Sequence, residues 1–256
     1  MKENRSKILG VLVFVGLVSG LFYLIFFSNK KTNKGEIKMI KISGNNILPD
    51  IYYLKFAKLE NKSSYGKLTL AEIRDKFERH PYVQKADVAY IGNDEVKVYI
   101  KEKKIEAVII IDSEPHFISE DFQILPMLPG IKMLDVPVIS NPSIGNKISY
   151  LSYVRSNDIV EAFKIIDAAK MTDMNMYKKL SEINLRNGGD IILTFSGIKP
   201  PIFFGKGEEA EKMVYLDMLL SGTVNGNDLV DNSKYLDLRF SNEIYVGTDV
   251  KTGLSE

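Results

Sequence analysis

The pattern of hydrophobic and polar positions divides the chain into one long apolar run near its start and a remainder in which the two kinds of residue alternate. The run extends from Ile8 to Phe27, and its 20 residues include no charged side chain. A helix rises about 1.5 Å per residue, so a run of this length spans roughly 30 Å, the thickness of the hydrocarbon core of a bilayer. We therefore expect a transmembrane helix over residues 8–27.

A cleaved signal peptide is the alternative interpretation of this run. The apolar part of a signal peptide usually covers about 7–15 residues and ends at small side chains, whereas this run is longer and ends at two phenylalanines. Three basic residues precede the run and three follow it within residues 28–36, so the positive-inside rule does not decide the orientation. Because the head, residues 1–7, is short, we expect it in the cytoplasm, with a polar linker over residues 28–36 and the bulk of the chain outside.

The first folded unit is predicted over residues 37–104, where strand and helix patterns follow each other. Alternation over residues 36–43 predicts a strand that ends at Gly44 and Asn45. A short helix is expected over residues 51–59, after a Pro-Asp pair.

The second half of this unit contains the clearest helix signal in the chain. This helix is predicted to begin at Thr69, whose spacing from Glu72 is that of a capping box, and to end before Pro81, because proline disfavours helical geometry in the residue before it. Two alternating segments, residues 83–91 and 95–101, are joined by a tight turn and predict a hairpin. The unit is therefore expected to be a small α+β domain of the order strand, helix, helix, strand, strand.

The remaining residues, 105–248, are predicted to form a β-rich domain with two or more helices. Apolar residues recur at helical spacing over residues 158–170 and 208–220. Residues 234–246 alternate and predict a strand or hairpin that closes the fold. Residues 249–256 are polar and are expected to be a frayed tail.

Composition and motifs exclude several classes of function. The chain has no cysteine, which excludes disulfides and cysteine-based zinc sites. Outside residues 1–7, 31 basic residues stand against 32 acidic ones, so no basic stripe suggests nucleic acid. The two histidines lack an H-E-x-x-H context, no G-x-S-x-G occurs, and the G-K-G at residues 205–207 lacks the rest of a P-loop. We expect no catalytic residue, no metal, no cofactor and no small-molecule substrate.

The segment from Tyr235 to Phe240 is the candidate site for a protein partner. It lies near the end of the chain, where a strand can form the edge of a sheet and offer unpaired N–H and C=O groups to an added strand. Leu236, Leu238 and Phe240 are expected on one face, with Tyr235, Asp237 and Arg239 on the other. Tyrosine and arginine are enriched in interface hot spots. The alternative is that these polar side chains form only the solvated face of an ordinary strand.

The order of these features resembles the FtsQ/DivIB family of bacterial cell-division proteins, which are single-pass membrane proteins with a POTRA domain. The resemblance rests on the turn at Gly44 and Asn45, on the Pro81-Tyr82-Val83 sequence, and on the segment YLDLRF at residues 235–240, which is similar to the family's closing strand. The chain departs from the family where the POTRA domain ends, because residues 102–107 have lysine and isoleucine in place of the usual arginine and proline. The family's V-D-x-x-G turn is also poorly kept at residues 118–122.

The resemblance implies a non-enzymatic scaffold of the divisome in the bacterial inner membrane, enriched at the division septum. Its β domain is expected to bind FtsB and FtsL and to link early and late division proteins in septal peptidoglycan synthesis, while the POTRA domain and the span contact other divisome proteins. By this resemblance the helix at residues 208–220 lies beside the binding surface. The predicted partner-binding residues are Tyr235, Leu236, Asp237, Leu238, Arg239, Phe240, Ile244, Tyr245 and Val246.

The predicted mechanism is strand addition along Tyr235–Phe240, with Tyr235 and Arg239 giving selectivity. One alternative is a POTRA-containing envelope assembly factor, although such proteins carry several POTRA units before a long barrel. Another is a membrane-anchored cell-wall hydrolase, which the missing catalytic residues argue against.

Overall fold

The computed structural model describes residues 14–23, 36–92, 94–132, 134–144, 149–221, 230–240 and 243–248. Residues 14–23 are helical and exposed, and they coincide with the middle of the predicted span. The predicted ends of that span, Ile8 and Phe27, lie outside the described residues, as do residues 1–7, 28–35 and 249–256. Within the described ranges, no helix combines the length and the apolar character that crossing a membrane requires.

The first sheet has three strands in the order β1-β3-β2, with β1 parallel and β2 antiparallel to β3. Its elements are β1 (Met39–Ser43), α1 (Asp50–Phe56), a 3₁₀ helix (Lys62–Lys67), α2 (Leu70–Glu78), β2 (Val83–Tyr90) and β3 (Glu95–Glu102). The predicted order of strand, helix, helix, strand, strand is thus confirmed.

Helix α2 begins with the predicted capping box. The Thr69 hydroxyl accepts from the Glu72 N–H at 3.2 Å, and the Glu72 carboxylate accepts from the Thr69 N–H at 2.7 Å. Ile73 and Phe77 are buried on one face of the helix, as their spacing predicts. The helix ends at Glu78, before Pro81. Capping and periodicity therefore fix this helix from nearby residues alone.

The second sheet, as described, has nine strands in the order β12-β11-β10-β9-β8-β7-β4-β5-β6. These strands are β4 (Ile105–Ile111), β5 (Glu114–Ser119), β6 (Ile124–Leu125), β7 (Val138–Ser140), β8 (Leu180–Asn184), β9 (Ile192–Phe195), β10 (Ile202–Phe203), β11 (Tyr235–Asp237) and β12 (Tyr245–Gly247). The helices that accompany them are α3 (Asn157–Thr172), α4 (Met174–Lys179) and α5 (Glu209–Ser221). The predicted α+β class with a POTRA-like unit and a β-rich remainder is confirmed.

Helices cover one face of the larger sheet. Buried residues of the strands, such as Ile183 and Leu236, belong to the same apolar cluster as Ile166 of α3 and Leu216 of α5. Side chains on the other face are more accessible, as Thr194 shows. This is the usual arrangement of a sheet that buries one face against helices.

The two sheets share apolar residues. The core of the first sheet includes Ile105, Phe117 and Leu125, which belong to strands of the second. Tyr82, from the predicted POTRA motif, is fully buried, and its hydroxyl donates to the carbonyl of Pro126. The POTRA motif therefore also joins the two parts of the molecule.

The closing segment differs from its prediction. The strand covers Tyr235–Asp237 only, and it is paired on both sides, parallel to β10 and antiparallel to β12. The prediction that Tyr235–Phe240 forms the sheet edge was therefore wrong, because the chain turns back and adds β12 outside it. Asp237 is buried rather than solvated. The C-terminal edge strand is β12.

Candidate functional site

The two ends of the larger sheet differ in how their main-chain groups are satisfied. At the β6 end, the Ile124 N–H donates to the Ser152 carbonyl at 2.9 Å, and the Leu151 N–H donates to the Ile124 carbonyl at 2.8 Å. The Gln123 side chain also donates to the Leu151 carbonyl, at 2.9 Å. Because an uncovered edge invites pairing with another chain, this covering segment protects the β6 end.

The opposite end, β12, has no strand on its outer side among the described residues. Leu236 and Leu238 of the neighbouring segment donate their N–H groups towards β10, to the carbonyls of Pro201 and Phe203. The residues beside Leu236 therefore face β12, where Tyr235 is paired with Gly247 and Asp237 with Tyr245.

The alternation of an antiparallel ladder then fixes which main-chain groups of β12 are available. Tyr245 and Gly247 direct theirs to β11, so Val246, which lies between them, directs its N–H and C=O outward. Val246 thus offers one donor and one acceptor to an added strand. Of the predicted site residues, the structure assigns this position to Val246 rather than to the segment Tyr235–Phe240.

Exposed aromatic side chains lie beside this open edge. Tyr245 is 50% exposed and Phe240 is 53% exposed, and their ring centroids are 5.0 Å apart in an edge-on arrangement. Ile244 and Val246 instead pack partly against the core. An unpaired edge next to accessible aromatic rings has the composition of a protein-interaction surface.

Tyr235 has a local packing role as well as partial exposure. Its ring covers Gly247, where a Cβ atom would lie 2.4 Å from a ring carbon. On its other side the ring meets Phe203 at a centroid distance of 5.6 Å. Gly247 is therefore required for β12 to lie this close to β11.

Arg239 fixes the end of β11 to a distant loop. Its guanidinium donates to both carboxylate oxygens of Asp237, at 2.9 and 2.6 Å, and to Asp190 at 2.8 Å. These hydrogen bonds hold the pKa of Asp237 below its ordinary value. The predicted contact between Arg239 and a partner stays a prediction, and sequence analysis missed the role of Asp190 because it lies far away in the chain.

Helix α5 forms one wall of a small groove beside β12. The groove is lined by Glu208, Glu211, Lys212, Tyr215, Leu238, Phe240, Glu243 and Ile244. Lys212 is buried, and its ammonium group donates inward to the carbonyls of Phe204 and Lys206, at 3.1 and 3.2 Å. The outer wall of the groove therefore presents carboxylates and aromatic rings.

The predicted turn after β1 is explained by backbone geometry. Gly44 has a φ of +87°, and a Cβ atom there would lie 2.2 Å from the carbonyl oxygen of Ile100. The side-chain amide of Asn45 donates to the Leu48 carbonyl at 3.0 Å and to the Asp50 carboxylate at 2.7 Å. Both residues shape the connection between β1 and α1.

The second predicted POTRA motif lies next to a buried histidine. The ring nitrogen Nδ1 of His80 accepts from the Tyr82 N–H at 3.1 Å, and burial, assisted by the positive charge of Lys103, lowers the pKa of His80 to about 4. His80 therefore stays neutral as a packing residue among the rings of Tyr53, Phe56 and Tyr82. In the described part of the chain, no three His, Asp or Glu side chains are grouped as metal ligands.

Comparison with known families agrees with this geometry. Residues 36–103 match the family model described as POTRA domain, FtsQ-type. The match contains β1 to β3, both helices between them and all the predicted motif residues, Gly44, Asn45, Pro81, Tyr82 and Val83. No curated protein matches the chain. The predicted POTRA domain of the FtsQ type is thereby confirmed over residues 36–103, and this domain indicates a division-related, protein-interaction function.

Proposed function

We propose that this chain, which carries an FtsQ-type POTRA domain, is a non-enzymatic scaffold of the bacterial divisome that binds FtsB and FtsL. In this proposal the apolar run anchors it in the inner membrane by a single pass, with its N-terminus in the cytoplasm and its bulk outside. Enriched at the division septum, it links early and late division proteins in septal peptidoglycan synthesis. The observation that carries the proposal is the edge of β12, which no described strand covers and which lies beside exposed aromatic rings.

The binding step is the addition of a partner strand to β12. The outward N–H and C=O of Val246 form the central main-chain hydrogen bonds, and the rings of Tyr245 and Phe240 contact the partner's side chains. This step replaces addition along Tyr235–Phe240, since both sides of that strand are already paired. The other predicted residues act by supporting this edge.

The two domains, each built on one of the two sheets, are proposed to bind different partners. We assign residues 37–104 to the POTRA domain, which contacts other divisome proteins together with the span, and residues 105–248 to the domain that binds FtsB and FtsL. The change of sheet between β3 and β4 supports a boundary near residue 104.

The proposal is tested by removing the outward N–H of β12 without disturbing the ladder to β11. Val246→Pro deletes that donor, and proline is tolerated at an edge where the N–H faces away from the sheet. Val246→Ala is the matched control, because it shortens the side chain and keeps the N–H. Binding of the full-length protein, in a mild detergent, to the extracytoplasmic parts of FtsB and FtsL from the same organism is measured by isothermal titration calorimetry.

We expect Val246→Pro to weaken binding on the order of 10-fold to 100-fold, which corresponds to a lost main-chain hydrogen bond and a ring that blocks close pairing. Val246→Ala should bind within about threefold of wild type. Equal binding by the proline and alanine variants, with unchanged circular dichroism, would exclude strand addition at β12.

A further inference from the structure

The charge of the chain is unevenly distributed between its two parts. Residues 36–103 hold 13 Lys and Arg against 10 Asp and Glu, whereas residues 104–248 hold 14 against 20. The part that contains the open edge is therefore distinctly acidic. Like charges disfavour association and opposite charges accelerate it, so this part of the chain favours a positively charged partner.

The negative charge is concentrated locally in the groove beside β12. Glu208, just before α5, Glu211, in its first turn, and Glu243, before β12, are all exposed and line it together. Hydrogen bonding to Glu211 raises the pKa of Tyr215, and hydrogen bonding to Glu243 raises the pKa of Tyr245. Both tyrosines thus remain protonated and donate to these carboxylates.

The basic residues nearest to the groove in sequence are used elsewhere. Lys206 contacts Asp158 and donates to the Gly188 carbonyl at 2.7 Å. Lys212 is turned inward, and Arg239 is held by Asp237 and Asp190, as described above. Lys212 also lines the groove, but its ammonium group donates to main-chain carbonyls and is outnumbered by Glu208, Glu211 and Glu243, so the groove keeps a net negative charge.

We propose that the partner strand that adds to β12 carries lysine or arginine residues that pair with the exposed carboxylates along this acidic groove. Arginine fits best, because its planar guanidinium can lie on the exposed ring of Phe240 while it donates to the carboxylates. A strand flanked by acidic residues is rejected by the same groove. This inference rests on the proposed function and adds the chemistry of the partner. The edge of β12 forms main-chain hydrogen bonds with the partner strand, and the groove selects strands that carry positive charge.

The test removes charge while keeping shape and hydrogen-bond acceptors. The groove variant combines Glu208→Gln, Glu211→Gln and Glu243→Gln. The control variant combines Glu60→Gln, Glu114→Gln and Asp167→Asn, three exposed acids away from the groove, so both variants lose the same net charge. Binding to the FtsB and FtsL parts is measured over a range of salt concentrations. Two short strand-forming peptides, identical except that one carries arginines where the other carries glutamates, provide a second probe.

We expect the groove variant to bind the partner about tenfold more weakly than the control variant at low salt, with a flatter salt dependence. We also expect wild type to prefer the arginine peptide and the groove variant to lose that preference. Equal binding by the groove and control variants, while Val246→Pro still weakens binding, overturns the inference and leaves the proposed function standing. If the wild-type protein does not bind FtsB and FtsL, the proposed function fails. The inference is then decided by the peptides alone, and it is overturned if the wild-type protein shows no preference for the arginine peptide.

Discussion

The hydrogen bond between Tyr82 and Pro126 leads to a prediction about how the molecule unfolds. Tyr82 lies in the POTRA motif, Pro126 follows β6, and the Tyr82 ring meets Phe117 edge-on at 6.4 Å within the shared core. If the two sheets are stabilised by one core, weakening this contact must weaken both. We therefore expect Tyr82→Phe to destabilise the whole protein and not the POTRA domain alone.

The size of the effect follows from the surroundings of the lost hydroxyl. Tyr82→Phe keeps the buried ring and leaves the Pro126 carbonyl without its donor, which costs about 1–2 kcal/mol of unfolding free energy because Pro126 is only partly buried. For a protein of this size, that loss lowers the melting temperature by roughly 2–6 °C. Tyr99→Phe is the control, since the Tyr99 side chain is 53% exposed and its change should stay within about 0.5 kcal/mol.

The assay is denaturant unfolding of the full-length protein in a mild detergent, followed by circular dichroism and by amide hydrogen exchange. One shared transition should shift in Tyr82→Phe, and protection in β3 and β8 should fall by the same amount. Two separate transitions in wild type, or an effect of Tyr82→Phe no larger than that of Tyr99→Phe, would refute the idea of a shared core.

Two further predictions concern the POTRA part. Gly44→Ala should lower the unfolding free energy by about 2–4 kcal/mol, because the residue has a positive φ and an added Cβ meets the Ile100 carbonyl. The control in the same thermal melts is Gly92→Ala, since a Cβ atom added at Gly92 has no atom within 4 Å. His80 has a pKa of about 4 in the folded protein, below its value near 6.5 in the unfolded chain, so the unfolded state binds more protons in this pH range. The free energy of unfolding should therefore decrease as the pH falls from about 6.5 to 4, by up to roughly 3 kcal/mol. His80→Asn, which keeps an acceptor for the Tyr82 N–H, should reduce that slope in pH-dependent unfolding, and an unchanged slope would contradict a buried neutral histidine.

Local signals account for most of what the sequence predicts correctly. The capping box at Thr69 and Glu72 and the alternation of Val96, Val98 and Ile100 involve residues a few positions apart, and the structure confirms both elements. Such patterns depend on backbone geometry and on which face is buried, and both can be read from spacing alone.

The position of a strand within a sheet is a different kind of property. Whether Tyr235–Asp237 is an edge depends on β12, which pairs with it after a turn, and on β10, which arrives from residues 202–203. The carboxylate of Asp190 reaches Arg239 across 49 positions. No periodicity encodes these pairings, so the sequence predicts the strand but not its neighbours.

The covered and open ends of the larger sheet also determine how many partners one molecule can hold by this mode. A sheet with two free ends can be extended from both sides, and molecules of that kind can join into chains of indefinite length. Here residues 151–153 cover the β6 end, so β12 is the end of this sheet that the described residues leave for growth. The larger sheet then accepts one added strand, and any further extension of that sheet has to come from the partner.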